Sequence, residues 1–184
     1  CSDDTDAIER IRIQYGTSFG YPVCSMGAHV SVSPNRQTGR AVPLKTRAEV
    51  AMAGTFGYEM DVRLLCGRER EQIRRQIQEY RRCEPVIRQG DYYRLTDPQT
   101  DTCHAAWQFV TKDKKKSVVS VVLLRAEANP PFRQLRLRGL QETAKYRIDG
   151  DERIYTGSAL MYAGLPVPVL WGDYQSIHFY IQQI

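Results

Sequence analysis

Near Gly90 the hydrophobic period of the sequence changes from the helical one to the alternation of strands, so the chain divides into two architectures rather than repeating one. Before Gly90, helix starts are marked. Asp6 with Glu9 forms a capping-box pattern, followed by Ile8, Ile11 and Tyr15 at helical spacing and by Gly16 as a stop. The apolar stretch from Phe19 to Met26 has the length of a buried strand or of the approach to one. Gly27 to Val32 follows, and then a loop of turn formers from Ser33 to Arg40. Thr46 with Glu49 is a second capping box, opening an alanine-rich helix through Met52 that Gly54 can close. Thr55 to Met60 reads as extended. A third helix is predicted from about Arg68 to Arg82, burying Ile73, Ile77 and Tyr80, with Pro85 as its stop. Helices alternating with short strands give the rhythm of a parallel α/β unit.

After Gly90 the pattern is that of an antiparallel β-sandwich of about a hundred residues. Ala105 to Thr111 and Ser117 to Arg125 form a hairpin around the tip Lys112-Asp113-Lys114-Lys115-Lys116. Val118 to Leu124 is too continuously apolar for an edge and is expected at the sheet centre. Leu135 with Leu137, Tyr146 with Ile148, and Ile177 with Phe179 and Ile181 each alternate with polar neighbours as strands do.

Composition excludes several classes. With 42% hydrophobic and 26% charged residues in 184, the chain is globular, and no apolar run reaches the roughly 18 residues of a membrane helix. It opens on Cys1-Ser2-Asp3-Asp4-Thr5-Asp6, which is neither an initiator Met nor a secretory signal, and is expected to begin inside something longer. The five cysteines are odd in number and lack a CxxC pair. They read as reduced thiols and favour a cytoplasmic location. The three histidines, His29, His104 and His178, are scattered, so no metal site is expected. The net charge of +5 comes with a lysine hairpin tip and with arginines interleaved among glutamates on a helix. No nucleic-acid motif accompanies it, so neither nucleic acid nor membrane is expected as a partner.

The densest chemistry is the acidic run Asp3, Asp4 and Asp6 before the first helix. If a parallel strand precedes it, these carboxylates stand at a strand's C-terminal end, where α/β barrels place catalytic groups. Asp6 is the cap by position, and Asp3 is best placed to face a pocket. The same acids could instead only complement the helix dipole. Ser25 near His29 lacks a nucleophile elbow and an orienting carboxylate, and the glycines at 54 and 57 lack a phosphate-binding pattern. Trp107, Trp171, Tyr92 and Tyr93 suit either sugar stacking or a core.

At this acidic run the sequence resembles glycoside hydrolase family 36 α-galactosidases. The resemblance rests on Ser2-Asp3-Asp4-Thr5-Asp6-Ala7 with Arg10 and Ile13 to Ser18, then on Met26 to Ser31, Pro34-Asn35 and Gln37 to Arg40, and Gly54 to Glu59. It continues through Gly90 to Leu95, Asn129-Pro130-Pro131 and Ala163 to Pro166. It implies an α/β plus all-β chain: residues 1–90 as the last βα elements of a (β/α)8 TIM barrel, and residues 91–184 as a C-terminal antiparallel β-sandwich. It also implies retaining hydrolysis of terminal α-1,6-linked galactose in melibiose- or raffinose-type oligosaccharides, without a cofactor. Asp3 maps onto the family's general acid/base. The family's nucleophile, in a Lys-x-Asp context upstream, has no counterpart here, so the chain is expected to be an inactive C-terminal portion that needs the upstream barrel. Homo-oligomers are implied for the parent. The competing reading is a non-catalytic β-sandwich binding or structural module.

Overall fold

The computed structural model describes residues 3–184; Cys1 and Ser2, the start of the acidic motif, lie outside the described residues. Helix α1 (Ala7–Thr17) begins at Asp6, whose Oδ1 accepts the amides of Ile8 (2.8 Å) and Glu9 (3.3 Å). The box is completed differently from the sequence expectation. The Asp6 amide donates to Asp4 Oδ1 (2.8 Å), while Glu9 turns to Arg40. The stretch from Phe19 to Met26 is the approach to a strand and not the strand itself: Phe19 and Tyr21 are exposed, and Val23 alone is buried. Strand β1 (Gly27–Ser31), helix α2 (Leu44–Met52) and strand β2 (Thr55–Glu59) follow. The two strands pair in parallel, Val30 opposite Tyr58, as the βα rhythm requires. Ala28, Val30, Leu44, Ala48, Ala51 and Met52 fill the space between strand and helix.

Gly54 lets α2 turn back onto this pair. A Cβ there would stand 2.5 Å from the Met26 carbonyl oxygen and 3.1 Å from the Ala28 Cβ. Since that oxygen belongs to backbone already bonded to the Thr55 amide, it cannot yield without shifting the pair. Gly54→Ala is expected to lower stability by roughly 1–3 kcal/mol, read from the urea midpoint.

Helix α3 (Gly67–Gln89) continues through Pro85 instead of stopping before it. Proline inside a helix costs about 3 kcal/mol, but Val86 and Ile87 beyond it are both buried, and their burial returns a comparable amount. The Glu71–Arg75 pair forms as the spacing predicts, at 3.3 Å.

The second half holds β3 (Asp91–Arg94), β4 (His104–Val110), β5 (Lys116–Leu123), β6 (Arg133–Leu135), β7 (Lys145–Ile148), β8 (Ile154–Thr156), β9 (Leu165–Val167) and β10 (Gln175–Gln183). Six of them form one antiparallel sheet in the order β3-β4-β5-β10-β7-β8, and β6 pairs with β9 in a small second sheet. The apolar run Val118 to Leu123 sits centrally between β4 and β10. Its unbroken burial has a physical cause: both faces of the sheet are covered. Val119, Val121 and Ile181 pack with Leu135, Leu137, Leu160 and Leu165 beneath the small sheet, giving the sandwich. Trp107, Phe109, Val118, Val122 and Tyr180 face Ile11, Val50 and Val86 of the helices.

Polar side chains bolt this second contact. Thr46 donates to Ser176 (3.0 Å), Glu49 meets His178 (3.1 Å), and the Arg82 guanidinium lies 3.8 Å from the Tyr180 ring centroid. Thr46 is therefore not a cap. Helix α2 starts two residues earlier, after Pro43, and both members of the expected capping box are engaged across the seam.

Candidate active site

The segment from Asp3 to Asp6 is held by the loop that follows β1. The buried Asn35 shapes that loop: its Oδ1 accepts the amides of Gln37 (2.8 Å) and Thr38 (3.1 Å), and its Nδ2 donates to the Thr5 hydroxyl (2.9 Å). Gln37 bridges the two pieces of chain. Its Oε1 accepts the amide (2.9 Å) and hydroxyl (3.1 Å) of Thr5, and its Nε2 donates to the Asp3 carbonyl (3.2 Å). Arg10 reaches back from α1 to the carbonyls of Asp4 (3.2 Å) and Gly27 (2.5 Å), tying the segment to the start of β1.

Asp6 is the centre of the clamp. Besides capping α1 it accepts from the Thr38 hydroxyl and from Arg40 (2.7 Å), and its side chain is wholly buried. Burial alone would raise its pKa, but hydrogen bonds from Thr38, the Ile8 amide, Arg40 and the Glu9 amide outweigh it and hold the carboxyl below the usual range. Asp6 is thus a structural anion. Asp3, by contrast, has its backbone fixed and its side chain exposed. The loop from Ser33 to Arg40 that grips this segment follows the C-terminal end of β1, while Arg10 links the segment to Gly27 at the strand's start.

The other candidates separate. Ser25 donates to the Pro22 carbonyl (2.7 Å), and His29 stands 2.6 Å from Glu59, so the two do not form a nucleophile–base pair. Trp107 is core, whereas Trp171 is 82% exposed beside an open groove that also carries Phe132. By local pattern the clamp residues Asn35, Gln37, Thr38 and Arg40 read as turn formers, and the family resemblance marks them without giving their partners. Their bonds to the acidic run span about thirty residues, beyond the reach of any local pattern.

A family model described as Melibiase matches residues 1–90, and one described as the glycosyl hydrolase family 36 C-terminal domain matches residues 104–181. The bifunctional alpha-galactosidase/sucrose kinase AgaSK of Mediterraneibacter gnavus is 52% identical over 97% of this chain and 19% of its own length. Alpha-galactosidase AgaA of Geobacillus stearothermophilus is 42% identical over 100% of this chain and 25% of its own. Among solved structures, the galactosidase domain of AgaSK superposes with a TM-score of 0.97 at 50% identity, covering all of this chain and 26% of that one. A variant of AgaA in complex with raffinose gives 0.96 at 41%, covering all of this chain and 25% of that one. The chain spans about a quarter or less of the length of these relatives. With the two models following one another along the sequence, and both halves superposing together on solved family members, the chain belongs to glycoside hydrolase family 36 and corresponds to the C-terminal portion of its α-galactosidases.

Proposed function

We propose that this chain supplies the general acid/base, Asp3, of a retaining α-galactosidase acting on terminal α-1,6-linked galactose. The observation that carries this reading is the clamp. Asp3 is the exposed carboxylate of a segment whose backbone is held, through Gln37, by the loop that follows the first strand of a parallel pair. In the proposed reaction an upstream carboxylate attacks the anomeric carbon while Asp3 gives its proton to the departing glycosidic oxygen. Asp3 then removes a proton from the water that releases galactose. Raffinose and stachyose, with which variants of AgaA have been solved, are the substrate type. Residues 1–90 are assigned to the end of the barrel and 91–184 to the sandwich.

One carboxylate of the pair cannot form a glycosyl intermediate, so the 184-residue chain alone is expected to release no galactose from raffinose. Co-expression with the upstream barrel segment of a relative is expected to restore turnover. Galactose release by the purified chain would overturn the assignment. Positioning is separately testable. Gln37→Ala frees the Asp3 carbonyl and is expected to lower kcat by up to about 10²-fold in a complete enzyme, with KM and the melting temperature little changed. The cytoplasm is the proposed compartment, supported by Cys24, Cys66, Cys83 and Cys103 all being free thiols. Among the described residues no helix is long and apolar enough to cross a membrane. A homo-oligomeric parent is likewise proposed, in keeping with the exposed Phe132, Trp171 and Leu64.

A further inference from the structure

We propose that Glu79, Cys83 and His178 form a three-ligand site for a zinc-class divalent cation at the seam between α3 and the large sheet. Glu79 and Cys83 stand one helical turn apart on one face of α3, and His178 of β10 meets them from the sheet. Their donor atoms make a nearly equilateral triangle. Cys83 Sγ is 3.5 Å from His178 Nε2 and 3.5 Å from Glu79 Oε1, and His178 Nε2 is 3.4 Å from Glu79 Oε1. Four-coordinate zinc, with bonds of about 2.0–2.3 Å, requires ligand–ligand edges of about 3.3–3.8 Å. An N–H···O hydrogen bond prefers about 2.7–3.2 Å, so the nitrogen–oxygen edge fits the metal polyhedron better than a direct bond.

The surroundings match as well. The far ring nitrogen of His178, Nδ1, lies 3.1 Å from Glu49, the carboxylate–histidine arrangement that fixes the tautomer of a metal-bound imidazole. One nitrogen, one sulfur and one oxygen is a zinc-type donor set, whereas calcium and magnesium demand six or more oxygens. Charge fits as well: a divalent cation held by the Cys83 thiolate and the Glu79 carboxylate would be neutralised by its own ligands, with the thiol proton released on binding. Arg82, 3.9 Å from Glu79 and paired with Asp149, stands at the rim of the site. Cys83 is fully buried and the His178 side chain is 16% exposed, while Glu79, 37% exposed, offers the route of entry. Because its ligands come from both sides of the seam, the ion would join them and add stability.

Cobalt titration of the chelator-treated protein, with its complete barrel, tests this. One equivalent of Co²⁺ is expected to give a thiolate-to-cobalt charge-transfer band with the visible bands of four-coordinate cobalt, and one equivalent of Zn²⁺ to bleach them and raise the melting temperature. Cys83→Ser and His178→Gln should each abolish the bands, and Glu49→Gln should weaken affinity about 10–100-fold. Cys83→Ala, which leaves an apolar side chain in a buried position, serves if another variant fails to fold. No band at excess cobalt, or a band that survives loss of Cys83, overturns the proposal.

Discussion

Replacing Asp3 by Ala in a family member that carries this segment behind its complete barrel is expected to cut kcat/KM for raffinose by roughly 10²–10⁴-fold, the usual contribution of a positioned acid/base. A sugar alkoxide leaves poorly without a proton. An aryl galactoside, whose leaving group departs as a stable phenolate, should therefore lose much less in the glycosylation step. Folding is expected to be untouched, because the Asp3 side chain is exposed and only its carbonyl joins the clamp. If raffinose and aryl substrates fell equally, protonation would not be the function of Asp3. Full retention of activity would favour the non-catalytic module.

Three residues on, the opposite result is expected. Asp6→Ala should destabilise the protein by about 3 kcal/mol, the low end of the roughly 3–5 kcal/mol seen when one partner of a buried ion pair is removed, because Arg40 keeps 24% of its side chain in water. Loss of the α1 cap contributes to that figure. Asp6→Asn retains an acceptor for the Ile8 amide and should recover part of the loss. The pH dependence has a definite sign. Since the folded carboxyl titrates below its unfolded value of about 3.9, its stabilisation is complete above that value and fades as the pH falls through the folded pKa. Urea denaturation from neutral to acid pH should show the wild type losing more stability than Asp6→Ala over that interval. Equal slopes would mean that Asp6 is not the anion that matters.

What the sequence makes legible follows from how far each determinant reaches. The lysine-tipped hairpin and the central place of Val118 to Leu123 are local patterns, and they appear where alternation and apolarity put them. Asp6 is readable as a cap because a cap acts on the next three residues. Thr46 and Glu49 carry the same local signature yet bond to Ser176 and His178, about 130 residues away, and no window around Thr46 contains those partners. Pro85 misleads for a related reason: what keeps the helix going is the burial of Val86 and Ile87 against the distant sheet. Asp3 illustrates a third case. Periodicity leaves it an ordinary loop acid, and only the ordered motifs of the family give it a role, while the one bond that holds its carbonyl comes from Gln37.

Helix α3 ends at Gln89 and β3 begins at Asp91, so Gly90 alone stands where most two-domain proteins have a linker. Even that residue is wedged, with space for no Cβ between the carbonyls of Val86 and Val110. A joint with neither slack nor swivel acts as a splint, passing any twist of the sheet into α3 and on to the strand pair beside it. The β-half is consequently poor material for module shuffling. Exchange with another sandwich would have to carry Ser176, His178 and Tyr180 along with it, and a protease would find no linker at Gly90 to cut.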